Sequence, residues 1–219
     1  VGKKFVMGVT GLFLCLFLVI HLAGNLLLLG GAEAYNEYAY QLHAMPAFLI
    51  TAEVILFTAF LAHIYLGVVT TRENWAARPV DYQTRQSKKE PGTIVSSLSA
   101  ENTMWFTGAA IFLYLLLHLA DFKFEATGAE SVEEPFEKAR LLMSEWWRVV
   151  AYAVASILVG YHVSHGFASA FQSLGLEHPK YTPWIKTASL VFAFVVGGGF
   201  LLVSFVVVAK AWVLFGGQP

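Results

Sequence analysis

The sequence predicts an all-α integral membrane bundle of five transmembrane helices, and three observations carry that prediction. Of 219 residues, 57% are hydrophobic and 13% charged, which leaves too little polar surface for a soluble domain. Five apolar runs are each long enough, at about 1.5 Å per residue, to cross a hydrocarbon core about 30 Å thick. None alternates with a strand period, so a barrel is excluded. Each span must then be a helix, which satisfies its own backbone.

The first span, Phe5–Leu29, follows Lys3 and Lys4 and carries His21 and the single cysteine, Cys15. Lysines before an apolar run imitate a signal peptide, and Ala32-Glu33-Ala34 resembles a cleavage site. The run is longer than a signal's apolar core and holds a histidine, so it reads as a retained span. The second span, Pro46–Thr71, carries Glu53 and His63, and the third, Thr103–Phe122, carries His118. The fourth, Trp146–Phe171, carries His162 and His165, while the fifth, Thr187–Trp212, has no histidine. Trp75, Trp105, Trp146, Trp147, Trp184 and Trp212 all fall at or near span ends, where indoles prefer the headgroup layer.

If the spans alternate, Lys3, Lys4, Arg72, Arg78, Arg85, Lys88, Lys89, Lys180 and Lys186 share one side, while residues 30–45 hold no Lys or Arg. The positive-inside rule makes the basic side cytoplasmic, with the N-terminus in and the C-terminus outside. The connection Thr71–Asn102, polar and punctuated by Pro79, Pro91 and Gly92, reads as a cytoplasmic loop where a soluble partner could dock. With no internal repeat or low-complexity tract in view, residues 1–219 form a single membrane domain. The net charge of -1 and the scattered basic clusters exclude nucleic acid as a partner. One cysteine allows no disulfide framework, no thiolate zinc site and no c-type haem attachment.

The chemistry lies in the histidines. Of the seven, His21, His63, His118, His162 and His165 fall inside predicted spans, which is costly unless each has a partner or a ligand role. Residue counting from the cytoplasmic end puts His21 and His118 at roughly 24 and 22 Å, and His63 and His162 at roughly 12 and 16 Å. Two levels result, an outer pair from the first and third spans and an inner pair from the second and fourth. A facing pair of neutral imidazoles is what axial ligation of a b-type haem requires, so two pairs imply two haem b groups. A lone intramembrane histidine is often a packing residue, but packing does not require four at matched depths. Gly67 and Gly166 each follow an inner histidine by four residues, where a large side chain is expected to crowd the ring. By depth alone His165 could replace His162.

In the outer half, Glu53 and the preceding His43 are candidates for proton exchange with a quinone beside the outer pair. Their ordinary alternatives are a carboxylate reaching the headgroups and a solvated loop histidine. His178, in a cytoplasmic loop, is given no role beyond contact with a soluble partner.

Several segments together resemble the cytochrome b558-type membrane subunit of succinate dehydrogenase and fumarate reductase, the five-helix, two-haem anchor of complex II. They are His21-Leu-Ala-Gly-Asn-Leu26, His63, His118, the stretch Tyr161-His-Val-Ser-His-Gly-Phe-Ala-Ser-Ala-Phe-Gln-Ser-Leu-Gly175, and His178-Pro-Lys-Tyr-Thr-Pro183. The resemblance covers nearly the whole chain and is most specific in the fourth span. The family pattern H-x-x-[HN]-G implies that His162 is the ligand and that His165 stands behind it, bonded to a haem propionate or a neighbouring helix. It further implies an electron-transfer subunit in the inner (cytoplasmic) membrane, linking the tricarboxylic acid cycle to electron transport. Partner flavoprotein and iron–sulfur subunits would sit on the cytoplasmic side, the inner pair facing them and the outer pair facing a membrane quinone, menaquinone being favoured. His43 falls where some relatives place a carboxylate at the quinone cavity. The chain would thus be an enzyme only as part of that complex, the dicarboxylate site lying on another subunit. Two other readings compete. A cytochrome b subunit of another membrane dehydrogenase would use the same ligand physics, but the fourth span disfavours it. A proton-coupled transporter would gather its histidines at one depth among broken helices.

Overall fold

A computed structural model describes residues 2–77, 100–129 and 132–214, with side chains described from 103 and as far as 207 in the last two stretches. Most of the Thr71–Asn102 connection therefore lies outside the described residues. The described chain is helical: α1 (Gly2–Leu26), α2 (Ala32–His43), α3 (Pro46–Ala76), α4 (Ala100–Phe122), α5 (Pro135–Leu142), α6 (Trp146–Ser173) and α7 (Thr182–Leu214), with a 3-10 turn at Leu27–Gly30. Five of these, α1, α3, α4, α6 and α7, are long and apolar enough to cross a membrane. The bundle's outward surface agrees, since Phe194 is 81% and Phe106 71% exposed among many exposed large apolar side chains. An apolar exterior of this extent suits lipid, not water.

The end of the bundle holding Gly2 is termed proximal, the other distal. Helices α3, α1, α6 and α4 form a ring in that order, α3 packing on α1, α1 on α6, and α6 on α4; α3 and α4 touch only lightly. That light seam is bridged at the proximal end by an edge-on contact of Trp75 with Trp105, ring centroids 5.8 Å apart. At the distal end an ion pair of Glu53 with Lys123 bridges it. Another ion pair, Lys3 with Glu73, ties α1 to α3 proximally. The fifth long helix, α7, lies outside the ring against α6 and α1.

Small residues set the closest contacts, as they must where lipid removes the hydrophobic drive between helices. The α6–α7 seam pairs Gly160 with Gly197, and a Cβ on Gly197 would sit 3.0 Å from both Gly160 Cα and Ser156 O. Ser189 donates to Ser164 O at 2.6 Å across the same seam. On α1, Gly8, Cys15 and Leu22 form one buried stripe. A Cβ on Gly8 would meet Ala170 O of α6 at 3.1 Å, and one on Gly199 of α7 would meet Leu22 at 2.7 Å. The Gly197-Gly198-Gly199 run thus serves close packing at its first and third members, while Gly198 has no neighbour within 4 Å of a Cβ. Helix α6 ends in a Schellman turn: Leu176 N donates to Phe171 O and Gly175 N to Gln172 O, with Gly175 at φ 79°, a left-handed position that favours glycine.

Between the first and second spans and between the third and fourth the sequence reading offers no helix, whereas the structure places α2 and α5 there. Both are short amphipathic helices, too polar for a span, and tertiary packing stabilises them. Phe136, Ala139 and Leu142 of α5 lie at helical spacing and are buried in a distal cluster with Leu22, Leu28, Tyr152, Val203 and Val207. Asn36 of α2 joins the two caps, its Oδ1 accepting from Phe136 N at 2.8 Å and its Nδ2 donating to Glu134. Together they close the distal mouth of the bundle over α1, α6 and α7.

Candidate functional site

Ring order decides how the histidines can meet. Helices α1 and α4 are diagonal across the ring, and so are α3 and α6. The distal pair, His21 with His118, therefore bridges one diagonal, with ring centroids 5.7 Å apart at an interplanar angle of 83°. Aromatic rings enclose it: Phe17 stacks on His21 at 5.2 Å and Phe200 lies at 5.7 Å. Tyr114, Phe122 and Tyr152 surround His118. Asn25 donates to His21 O at 2.8 Å, and its amide nitrogen stands 3.5 Å from His21 Nε2.

His63 and His162, on the other diagonal, are each braced from a neighbouring ring helix. Thr107 Oγ1 of α4 lies 3.0 Å from His162 Nδ1, and Thr10 Oγ1 of α1 lies 3.4 Å from His63 Nδ1. Both hydroxyls direct their own proton along the helix, Thr107 to Thr103 O at 3.0 Å and Thr10 to Val6 O at 2.9 Å. Each oxygen is then left to accept from the imidazole Nδ1–H. These braces assign both rings the tautomer whose Nε2 carries a lone pair, the form that ligates a metal. His118 follows the same logic. Tyr152 OH donates to Asp121 Oδ2 at 2.9 Å and lies 3.4 Å from His118 Nδ1.

The residue after each bracing threonine is a glycine that faces the braced ring. A Cβ on Gly11 would lie 3.4 Å from His63 Cε1, and one on Gly108 would lie 3.5 Å from His162 Cε1. Gly67 and Gly166 do not play this part: a Cβ on Gly67 meets nothing within 4 Å, and one on Gly166 meets only Met104, at 3.8 Å. A helical side chain leans back over the preceding turn, away from residue i+4.

The braces also revise the depths. Thr10-Gly11 precedes His21, and Thr107-Gly108 precedes His118, with the same eleven-residue step from threonine to histidine. Both proximal rings thus sit at one level, about 16 Å of helix rise from the distal pair, a wider separation than the roughly 6–12 Å counted from the span ends. The pattern T-G-x9-H recurs on α1 and α4, and H-x3-G on α3 and α6, although no longer repeat is visible.

The remaining candidates lie apart. His165 packs edge-on against Tyr161, centroids 4.9 Å apart, within electrostatic range of His162. His43 ends α2, and its Nδ1 donates to Ala39 O of its own helix at 2.7 Å. Glu53 is ion-paired to Lys123, its side chain 30% exposed, so it neither reaches for headgroups alone nor meets His43.

The donor set fits b-type haem. Two imidazole nitrogens each about 2 Å from one metal put the ring centroids roughly 6 Å apart, close to the distal spacing. The proximal rings lie on opposite ring helices with their Nδ1 atoms already engaged. Thr10, Thr107 and Tyr152 are absent from the sequence reading, because a hydroxyl in a membrane helix bonds its own backbone by default; the repeated eleven-residue step is the signal that marks two of them. No protein-family model, curated protein or solved structure matches the chain.

Proposed function

We propose that this chain is the membrane anchor and electron-transfer subunit of a succinate:quinone oxidoreductase, binding two b haems through His21/His118 and His63/His162. The observation that carries this reading is the diagonal pairing of four histidines at two levels in one helix ring. A transporter that relays protons would need its histidines at one depth among broken helices, and α1, α3, α4 and α6 run unbroken through both levels.

Bound haem b supplies reversible one-electron chemistry. The chain's own residues do the rest. Thr10 and Thr107 hold the proximal imidazoles, Tyr152 holds His118, and the aromatic rings around the distal pair keep water away from it. His165 stands behind His162 as a supporting group. Basic residues at the proximal end make that face cytoplasmic in the cell's inner membrane, where a flavoprotein and an iron–sulfur subunit would dock. The Glu53–Lys123 pair and His43 at the distal end support a quinone site there, with menaquinone favoured by the family resemblance.

The test is reduced-minus-oxidised visible spectra with haem quantitation on the purified chain and on His63→Ala and His118→Ala variants. Two b haems per chain, a different one lost in each variant, is the expected result. Well-folded protein without haem would overturn the reading.

A further inference from the structure

Of the four paired histidines, it is His118 that connects to buried charge. Asp121, one turn further along α4, is fully buried. Its Oδ1 accepts from Thr127 Oγ1 at 2.5 Å and from Arg148 Nε at 3.2 Å, and its Oδ2 accepts from Tyr152 OH at 2.9 Å. Arg148 is itself 8% exposed and also donates to Thr127 O at 2.6 Å. Three elements, α4, the loop after it, and α6, thus close around one carboxylate. Burying a carboxylate and a guanidinium is expensive even when they are paired, and an apolar filling would hold the helices as well. The cluster's one outlet toward the ring interior is Tyr152. Having given its only proton to Asp121, the Tyr152 oxygen accepts from His118 Nδ1–H, 3.4 Å away.

We propose that Asp121 and Tyr152 are positioning residues for the distal haem, and that they make His118 a more basic ligand than the threonine-braced His63 and His162. A carboxylate behind a ligating imidazole draws on its N–H and raises the electron density at the ligating nitrogen. Such a ligand favours the oxidised, more positive metal. Neutral threonine hydroxyls bonded to backbone carbonyls exert no comparable pull. This role of Asp121 and Tyr152 rests on the reading of His21/His118 as a haem site.

The experiment is a redox titration of both haem signals in the purified full-length protein and in Tyr152→Phe and Asp121→Asn. Phenylalanine keeps the ring that packs on Tyr114 at 5.0 Å and removes only the hydroxyl. With both haems retained, one signal is expected to shift upward in each variant, the same one in both. At a fixed applied potential its reduced-to-oxidised ratio should rise about tenfold, equivalent to ~59 mV for one electron, while the other signal stays in place. Two haems bound with neither signal moved, or both moved equally, would overturn the inference and leave the proposed function standing. Absence of haem from the unaltered protein would overturn both.

Discussion

Replacing Thr107 by valine tests the proximal brace with little change of shape. Thr107 is 6% exposed, and its Oγ1 lies 3.0 Å from His162 Nδ1. Valine keeps the branched volume and leaves Nδ1–H without its acceptor in a buried site. An orphaned buried donor costs about 1–3 kcal/mol, although hydrogen bonds between membrane helices average only about 0.6 kcal/mol and reach about 1.7. The overlap of these ranges, 1–1.7 kcal/mol, is close to a tenfold change, within the roughly 10–100-fold seen when a metal ligand loses its outer partner. We therefore expect the proximal haem to dissociate about ten times faster into an excess of a haem-scavenging apoprotein, with the distal haem unaffected. Thr107→Ser, which restores the hydroxyl, should recover most of the loss. Thr10→Val should do less, because Thr10 stands 3.4 Å from His63, a longer contact than the 3.0 Å between Thr107 and His162. Equal dissociation from the valine variant and the unaltered protein would refute the assignment of Thr107 as a brace.

Gly197→Ala should lower thermal stability in detergent by about 1–3 kcal/mol, the usual cost of overpacking, because its Cβ would press on the backbone of α6 at 3.0 Å. Gly198→Ala, with open space around it, is the matched control; similar melting of the two variants would refute the packing argument. Glu53→Gln should slow quinone turnover while leaving haem content intact. The half-exposed Glu53–Lys123 pair contributes at most about 1 kcal/mol to stability, so an unchanged turnover would remove Glu53 from the quinone site.

The long helices are legible in the sequence because a span must be apolar throughout, and that requirement overrides local propensity. Their ends are less so: α3 runs on through Arg72 and Glu73 to Ala76, and α7 begins at Thr182, since polar residues continue a helix beyond the apolar core. The short caps α2 and α5 escape a search for spans because their apolar faces are only three or four residues, and Phe136, Ala139 and Leu142 become a face only when Leu22 and Val203 are there to meet it. At the site, the four histidines stand out through the cost of placing them in lipid. Thr10 and Thr107 do not, since a membrane threonine is ordinary until a ring is found beside it. Asp121 and Arg148 lie at the ends of the third and fourth spans, and their pairing shows only when α4 and α6 are brought together.

Each histidine pair also joins one half of the chain to the other. His21 and His63 emerge from the ribosome first, on α1 and α3, and hold two half-sites that cannot complete one another. Their partners, His118 and His162, arrive on α4 and α6 after the long connection. A nascent chain thus carries no complete histidine pair until its third long helix, α4, is inserted and no second pair until the fourth, α6, and each pair then acts as a staple across the seam that α3 and α4 leave loose. Severing the chain within residues 78–99 should accordingly yield two fragments that associate more tightly with the cofactor bound than without it.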